Sequence, residues 1–281
     1  VDRYIVNLCK VAVVTGANKG IGFDIVKGLC KDFKGNVYLT CKDVDKGEVA
    51  LNELNELDVT DKESIKSFRD YLKEHYNGID ILINNAGKRF SADASEPRSI
   101  KAEVTTQVNY FGLVSVCKYL FPLLSPKARV IHIGSCSGHL SRIPGKFIRE
   151  PFANCNLTES ELTDLVKQYV DAVRRGTDKA EGWGDSCYAV SKVAVSALAS
   201  IQNKEFGSGG ICVNCVHLGE AATDLTLQME DMDINEGSEA ALYLALEAPE
   251  DVKGVFMRND KTIIDWIVKD PTKEIEGLSK F

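Results

Sequence analysis

The sequence predicts a single α/β domain, built on a doubly wound parallel sheet of about seven strands with helices on both faces. Short apolar runs alternate with amphipathic helical patterns, as is typical of parallel strands joined by crossover helices. A glycine-rich segment joins the first apolar run to the first helical pattern. With 281 residues and no internal repeat or linker, the chain has the size of one large domain.

The individual elements follow from local patterns. Residues 11–15 read as the first buried strand, and the helix after it carries Ile21, Ile25 and Leu29 on one face. Thr60 and Glu63 have the spacing of a capping box, so we expect a helix to begin there. Further strands are predicted at residues 37–41, 79–84, 129–134, 211–216 and 254–258, and further helices at residues 104–120, 186–206 and 236–246.

Two segments depart from this alternation. Residues 138–183 are longer than an ordinary strand-to-helix connection, and they contain a helix that begins at a capping box, Thr158 and Glu161, and ends near Gly176. This insertion packs on the domain, forms a wall over the active site, or does both. Residues 43–58 look too short for a full helix plus a strand, which indicates a deletion or a segment absent from this chain.

We therefore treat residues 1–281 as one domain with three functional parts. The cofactor half covers about residues 1–135, and the helical insertion before the catalytic helix covers about residues 138–183. The catalytic helix and the substrate loop cover about residues 185–235.

Composition and charge exclude several classes of function. The net charge of −7 argues against a nucleic-acid partner and against binding to an anionic membrane. No segment approaches the roughly 18 consecutive apolar residues of a membrane span, and the first residues lack a signal-peptide pattern, so we expect a cytoplasmic protein. Nine scattered cysteines favour free thiols over a disulfide framework. Cys212 and Cys215 would point to opposite faces of a strand, so no metal site is predicted.

The glycines between the first strand and the first helix predict a dinucleotide site. Gly16, Gly20 and Gly22 have the spacing G-x-x-x-G-x-G in a strand-to-helix turn. Such a turn lets the backbone approach a pyrophosphate, which then lies at the positive N-terminus of the helix. A glycine-rich turn without a ligand is the alternative, but the flanking strand and helix supply the context that a dinucleotide site requires.

The charges beside this turn favour NADPH over NADH. Sites that prefer NADH place an acidic residue at the end of the second strand, where it holds the ribose 2′-hydroxyl. Here the second strand ends at Cys41 and Lys42, and Lys19 lies inside the glycine turn. Two lysines at these positions suit the negative charge of a 2′-phosphate. The alternative is that both lysines are ordinary surface residues in contact with water, and the acidic Asp43, next in the chain, argues against a site for a phosphate.

Tyr188 and Lys192 are the pair of residues that indicates a type of reaction. Four residues apart, they share one face of a helix, where the ammonium can stabilise a phenolate whose ordinary pKa is about 10. A tyrosine acid beside a dinucleotide site indicates hydride transfer to or from a carbonyl. Ser135 ends another strand, where its hydroxyl is placed to hydrogen-bond a carbonyl oxygen. Residues 84–87, Asn-Asn-Ala-Gly, permit close approach of a ligand at a further strand end.

In this order, the motifs resemble those of the short-chain dehydrogenase/reductase superfamily, which has a Rossmann-type fold. The resemblance covers essentially the whole chain. Closer local matches, together with the insertion before the tyrosine, resemble the NADPH-dependent carbonyl reductase branch. These matches are residues 15–22, 57–59, 107–112, 181–183 and 223–224.

The resemblance implies a role for each matching residue. Tyr188 is the expected general acid, Lys192 lowers its pKa and binds the nicotinamide ribose, and Ser135 orients the substrate carbonyl. Asn109 is expected to hold a water in a proton relay to Lys192. Taken with the glycine and charge arguments, the expected NADPH contacts are Gly16, Asn18, Lys19, Gly20, Ile21, Gly22, Lys42, Asp58, Val59, Asn84, Ala86, Gly87, Tyr188, Lys192, Leu218 and Gly219.

The resemblance also implies small-molecule carbonyl substrates, such as aldehydes, ketones and quinones. It implies a monomer, because the insertion in this branch covers a face that other members use to associate. The loop of residues 217–224 departs from the family pattern, with Leu218 in place of the usual proline, and this affects substrate preference more than activity. The alternatives are a narrow alcohol dehydrogenase or pteridine reductase of the same superfamily, and a cofactor-binding sensor or interaction protein without turnover.

Five further residues lie near the predicted site. His132, in mid-strand, is expected to be structural, whereas His217 begins the atypical loop and either packs or faces the substrate. Cys136 and Cys187 adjoin the catalytic serine and tyrosine, as packing residues or as thiols made more acidic by a nearby cation. Trp183 either lines the substrate cleft or pins the insertion.

Overall fold

The sheet has the parallel, doubly wound architecture that the sequence predicts. The computed structural model describes residues 9–42, 54–218 and 234–267. Its strands are β1 (Lys10–Val14), β2 (Gly35–Cys41), β3 (Leu54–Glu56), β4 (Ile79–Asn84), β5 (Leu124–Ile133), β6 (Cys212–His217), β7 (Phe256–Arg258) and β8 (Ile263–Ile264). They form one sheet in the order β3-β2-β1-β4-β5-β6-β7-β8. The first seven pair in parallel and the two-residue β8 pairs antiparallel with β7, so the predicted fold class is confirmed.

Helices cover both faces of this sheet. They are α1 (Gly20–Asp32), α2 (Lys62–His75), α3 (Arg98–Thr106), α4 (Leu113–Leu120), α5 (Lys146–Phe152), α6 (Glu159–Arg175), α7 (Asp178–Glu181), α8 (Cys187–Phe206) and α9 (Ile234–Leu242). Ile25 and Leu29 of α1 belong to the core on one face. Phe68 of α2 and Leu198 of α8 belong to the larger core on the other face. Burial of these two apolar layers is the main force that holds the helices on the sheet.

One helix begins earlier than its apolar pattern indicates. The helix predicted at residues 104–120 starts at Arg98, directly after Pro97, and Ala102 of its first turns is already fully buried. Proline is well suited to such a helix start because it lacks the N–H that the first turn leaves unpaired. A π-helical turn, Gln107–Gly112, then separates α3 from α4. This turn carries one of the predicted catalytic residues.

The capping box predicted at Thr60 and Glu63 is wrong. Asp61 caps α2 instead, and its carboxylate accepts a hydrogen bond from the Glu63 backbone at 2.9 Å. The Thr60 hydroxyl is already engaged, because it donates to the carboxylate of Asp58 at 2.7 Å. Most of the short stretch of residues 43–58 lies outside the described residues.

The insertion before the catalytic helix consists of α5, α6 and α7. The capping box predicted at Thr158 and Glu161 is confirmed, with both of its reciprocal hydrogen bonds present. Gly176 ends α6 in the left-handed conformation, with φ of 71°, as glycine does at many helix ends. No helix in the described ranges combines the length and the apolar character needed to cross a bilayer.

Candidate active site

A cavity of about 1300 Å³ opens at the carboxyl ends of the central strands. The strand order reverses between β1 and β4, and such a switch point leaves a crevice between loops that diverge. Fifteen of the predicted site residues line this cavity: Gly16, Asn18, Lys19, Gly20, Ile21, Gly22, Lys42, Asp58, Val59, Ala86, Gly87, Ser135, Tyr188, Lys192 and Leu218. The fold thus brings the ends of the predicted motifs to one place.

Among the described residues, two predicted site residues, Asn84 and Asn109, are not part of this wall. Asn84 and Asn109 border a much smaller cavity of about 10 Å³ behind it, and Lys192 contributes to the walls of both. Gly219 lies outside the described residues, as does most of the atypical loop that begins after Leu218.

The glycine turn lies directly against the end of β4. Gly16 has φ of +60°, and a Cβ on it would lie 2.7 Å from the Cα of Ala86, so a side chain has no room there. A Cβ on Gly22 would lie 2.3 Å from the amide nitrogen of Asn85. Helix α1 begins at Gly20 without a side-chain cap, which leaves its first N–H groups available to an anion such as a pyrophosphate.

Asn85 fixes this turn, a role that the sequence argument did not assign to it. Its side-chain amide donates to the carbonyl oxygens of Thr15 and Gly16, at 2.9 Å each. The Thr15 hydroxyl accepts hydrogen bonds from the backbones of Asn85 and Ala86, at 3.1 Å each. Its place directly after β4, within residues 84–87, was the available signal.

The two charged residues at the far end of the cavity are paired with each other. The Lys42 ammonium lies 2.6 Å from a carboxylate oxygen of Asp58. Burial alone would raise the pKa of Asp58, but hydrogen bonds from Lys42 and Thr60 outweigh it and hold the pKa below its usual value. The same hydrogen bond raises the pKa of Lys42. Lys42, which is predicted to bind the 2′-phosphate, therefore already forms an ion pair with Asp58, which is predicted to contact the adenine.

The predicted catalytic pair, Tyr188 and Lys192, lies at the start of α8. Ser186 caps the helix by accepting a hydrogen bond from the Ala189 backbone at 3.1 Å, which places Tyr188 in the first turn. Lys192, one turn later, is only 4% exposed and donates to the carbonyl oxygen of Ile133 at 2.6 Å. Its ammonium lies 5.6 Å from the centroid of the Tyr188 ring. The end of β5 thus anchors the lysine beside the tyrosine.

Ser135 lies in the same part of the wall, two residues beyond β5. Its hydroxyl oxygen accepts a hydrogen bond from the Ser137 backbone at 3.1 Å and lies 3.9 Å from the Cys136 thiol, a contact in which either group can donate. The turn that follows packs tightly on α8, because a Cβ on Gly138 would lie 2.9 Å from the carbonyl oxygen of Lys192. This packing holds the serine and the tyrosine–lysine pair in one rigid unit.

Asn109 projects from the π-helical turn and acts as a clamp. Its side-chain oxygen accepts from the Lys88 backbone at 2.7 Å, and its amide donates to the Lys88 carbonyl at 3.0 Å. The same amide donates to the Ser191 hydroxyl at 3.0 Å. Asn109 therefore connects the segment after β4 to the catalytic helix, and its role in a water relay stays a prediction.

Asn84 faces the core instead of the cofactor cavity. As the last residue of β4 it points toward α8, and its amide donates to Nδ1 of His132 at 3.1 Å. Nε2 of His132 then donates to the side-chain oxygen of Gln202 at 2.9 Å, which assigns the tautomer. Burial lowers the pKa of His132 to about 4, so this histidine is neutral and structural.

Of the other residues near the predicted site, His217 and Trp183 are packing residues. His217 is 7% exposed beside the Phe256 ring, and burial together with Arg258 lowers its pKa to about 4. Trp183 is buried between Phe152 and Tyr169, where it pins the insertion. Neither residue contributes to the described wall, nor does Cys187, whereas Cys136 does. Among the described residues, no group of three or more His, Cys, Asp or Glu is arranged to hold a metal ion.

Helix α6 of the insertion forms part of the cavity wall, which answers the question of its role. Lys167, Val170, Asp171 and Arg174 line the cavity. The adjoining face of the helix is buried in the core at Leu162, Val166 and Tyr169, and Val170 lies at the boundary between the core and the wall. Two arginines of the wall, Arg89 and Arg142, were not predicted from the sequence, because nothing in their local patterns relates them to Tyr188.

The fold and this site define the class of protein. Residues 10–146 match the family model described as short chain dehydrogenase. The chain belongs to the short-chain dehydrogenase/reductase superfamily, and the relatives it matches over nearly its whole length are carbonyl reductases, as the motifs predicted.

Two relatives and one solved structure illustrate these similarities. The chain is 36% identical to carbonyl reductase (NADPH) 1 of Bos taurus over 272 residues, which cover 91% of this chain and 98% of the relative. It is 36% identical to carbonyl reductase (NADPH) 3 of Mus musculus over 274 residues, 92% of this chain and 98% of the relative. Among solved structures, salutaridine reductase from Papaver somniferum superposes with a TM-score of 0.79 at 29% identity, covering 88% of this chain and 99% of that chain.

Proposed function

We propose that this protein reduces the carbonyl group of small molecules, such as aldehydes, ketones and quinones, to alcohols with Tyr188 as the general acid. The observation that carries the proposal is the shared cavity. Its wall contains the glycine turn at one end and Ser135, Tyr188 and Lys192 at the other. A dinucleotide lying along the cavity would therefore present its reactive end to the tyrosine.

The cofactor is NADPH, and the residues present fit it. Gly20 lines the cavity, and a Cβ on it would meet no protein atom within 4 Å, so the space beside it is open to a phosphate. Helix α1 begins at this glycine without a side-chain cap, which leaves its first N–H groups available to that phosphate. Lys19 and Lys42 line the part of the wall expected to take the 2′-phosphate. Relatives named for NADPH support the same choice. When bound, the reduced nicotinamide supplies a hydride to the carbonyl carbon.

The chain's own residues supply the proton and the orientation. Ser135 donates its hydroxyl proton to a hydrogen bond with the carbonyl oxygen. Tyr188 transfers its phenolic proton to the same oxygen as negative charge develops there. The Lys192 ammonium, anchored on Ile133, stabilises the phenolate that remains. We further propose that Asn109 helps to restore the proton through a water near Lys192, since both residues border the small cavity.

The experiment that tests this function follows NADPH absorbance with a panel of quinones, aromatic aldehydes and keto-steroids, with NADH in parallel. We expect turnover that prefers NADPH. Tyr188→Phe should lower kcat by about 10²–10⁴-fold, the usual contribution of a general acid, and should leave NADPH affinity within about threefold. Tight NADPH binding without turnover of any carbonyl by the unaltered chain would instead establish the cofactor-binding sensor.

The protein is proposed to act as a monomer. Helix α6 contributes Leu162, Val166 and Tyr169 to the core beneath it, so the insertion covers apolar surface that would otherwise be available to a second copy. Its exposed residues outside the cavity wall include the charged residues Asp164 and Arg175. Sedimentation equilibrium should give a single species with the mass of one chain, and a dimer at micromolar concentration would contradict this proposal.

A further inference from the structure

The wall of the cavity is basic although the chain as a whole is acidic. The chain has a net charge of −7, yet the described wall contains eight basic and only three acidic residues. The acids Asp58, Glu103 and Asp171 each form an ion pair with a lysine or arginine of the same wall. Within the described ranges, the wall therefore carries positive charge that no neighbouring acid balances. Its basic residues are Lys19, Lys42, Lys88, Arg89, Arg142, Lys167, Arg174 and Lys192.

Most of these cations are accounted for by the proposed function or by an ion pair. Lys42 and Arg174 hold the three acids. Lys167 lies 3.0 Å from Asp164. Lys192 belongs to the catalytic pair, and Lys19 lies in the glycine turn, at the end that takes the cofactor. The remaining cations are Lys88, Arg89 and Arg142.

Arg89 lies at the reactive end of the cavity. The central carbon of its guanidinium is 5.2 Å from the centroid of the Tyr188 ring. An exposed arginine ordinarily extends into water, but contact with the face of an aromatic ring orients this one. Its backbone is also restrained, because Asn109 holds the adjacent Lys88 through hydrogen bonds of 2.7 Å and 3.0 Å. The charge is therefore presented beside the proton donor.

Arg142 approaches the same end from the insertion side. It lies in the wall with Ser135, and its carbonyl oxygen is 3.6 Å from the position that a Cβ on Gly184 would take, just before the catalytic helix. In the described part of the chain, neither Arg89 nor Arg142 has a carboxylate within ion-pair distance or a side-chain hydrogen bond. Arg89 and Arg142 thus line the same cavity as Ser135 and Tyr188, and neither has an acidic partner among the described residues.

Guanidinium groups bind carboxylates through paired hydrogen bonds, with both geometry and charge contributing. We propose that Arg89 and Arg142 bind a carboxylate on the substrate, so that the enzyme prefers oxo acids to neutral carbonyl compounds. This inference rests on the proposed carbonyl reduction. The arginines recognise the part of the molecule that does not react, while Ser135 and Tyr188 act on the carbonyl.

Matched pairs of substrates test the preference. 4-Formylbenzoate and 3-(4-formylphenyl)propanoate, which differ in reach, are each compared with their methyl esters at saturating NADPH. We expect kcat/KM for at least one acid to exceed that of its ester by about tenfold or more, as charge-assisted hydrogen bonds commonly contribute. The ratio should fall as ionic strength rises, because salt screens exposed charges.

The double variant Arg89→Gln, Arg142→Gln should lower this acid-to-ester ratio at least tenfold. Lys118→Gln, which removes an exposed cation of α4 away from the cavity, should leave the ratio and both rates unchanged. Each variant's affinity for NADPH is measured alongside.

The outcomes separate this inference from the proposed function. Equal turnover of acids and esters overturns the inference and leaves carbonyl reduction standing. An unchanged ratio in the double variant, with NADPH affinity weakened tenfold, also overturns it, because the arginines then serve the cofactor. If the unaltered chain reduces no acid, ester or neutral carbonyl while it still binds NADPH, both proposals fail.

Discussion

The two ends of the cavity handle charge in different ways. At the cofactor end, Lys42 is paired with Asp58, and the glycine turn offers backbone N–H groups beside Lys19. At the substrate end, Arg89 and Arg142 have no acidic partner among the described residues, and the catalytic groups are side chains. The glycine turn presents backbone groups to the cofactor, whereas the proposed contacts with the substrate come from side chains. Specificity for the substrate therefore resides where local motifs carry least information.

The largest loss of turnover is expected on substitution of Lys192, which is proposed both to bind the nicotinamide ribose and to stabilise the Tyr188 phenolate. Lys192→Met keeps a long side chain in a nearly buried site and removes the ammonium that contacts Ile133 and Tyr188. We expect kcat to fall by about 10³-fold, because the phenolate loses its stabilising charge. Lys204→Met, at the far end of the same helix, is the control and should retain full turnover. A near-normal kcat of Lys192→Met would show that proton transfer from Tyr188 does not depend on this ammonium.

A second test affects the cofactor end alone. Gly22→Ala would place a Cβ 2.3 Å from the Asn85 amide nitrogen, which must shift and release the glycine turn. We expect the Kd for NADPH, measured by fluorescence titration, to rise by about 100-fold, since loss of both Asn85 hydrogen bonds costs about 2–3 kcal/mol. Gly209→Ala, which meets nothing within 4 Å, is the matched control. Normal NADPH affinity of Gly22→Ala would show that the turn adapts.

The role of His132, which is buried behind the cavity, can be tested through the pH dependence of the free energy of unfolding. The folded pKa of His132 is lowered from 6.5 to about 4, so its contribution to stability is complete above about pH 6.5 and is lost as the pH falls toward 4. Between pH 7 and pH 5, this residue should account for a loss of about 2 kcal/mol in the free energy of unfolding. In His132→Gln, which keeps hydrogen-bonding groups but cannot titrate, that part of the loss should disappear from urea denaturation curves.

His217 also has a lowered pKa, so the variant should retain some pH dependence. His75→Gln, at an exposed position, is the control and should behave as the unaltered chain does. An identical pH dependence in His132→Gln and the unaltered chain would contradict the assignment of His132 as a buried neutral residue.

The smallest effect is expected at Lys42. Lys42→Ser removes the cation nearest the expected 2′-phosphate, and we expect the Kd for NADPH to rise about tenfold while that for NADH changes little. The effect is modest because Asp58 already neutralises part of the lysine's charge. Asp58→Asn should accordingly strengthen NADPH binding in the presence of Lys42. Lys34→Ser, an exposed lysine before β2, serves as control, and equal losses for NADPH and NADH in Lys42→Ser would rule out recognition of the 2′-phosphate.

Much of the site was predictable because its motifs are local. The glycine turn requires residues that tolerate close backbone approach, and Gly16 shows both a positive φ and a near contact with Ala86. The spacing of Tyr188 and Lys192 places them on one helix face without reference to the rest of the fold. The strand pattern likewise predicted β4 at residues 79–84, and the structure has it at Ile79–Asn84.

Other features depend on contacts between distant residues and were missed or wrong. Thr60 resembles a capping residue, but its hydroxyl is taken by Asp58, so the cap falls to Asp61. Asn84 was assigned to the cofactor because its motif lies at a strand end. The Asn84 side-chain amide donates to His132 on the neighbouring strand, and its predicted contact with the cofactor stays a prediction.

The sequence by itself determined the alternation of strands and helices, the glycine turn and the tyrosine–lysine pair, because each depends on backbone preferences and side-chain spacing within a few residues. Only the tertiary structure decided which charges are neutralised and which remain. Lys42 meets Asp58, Arg174 meets Glu103, and Arg89 meets the ring of Tyr188, all across long stretches of chain. Electrostatic interactions depend on distance in space, and that distance is set when the strands pack side by side.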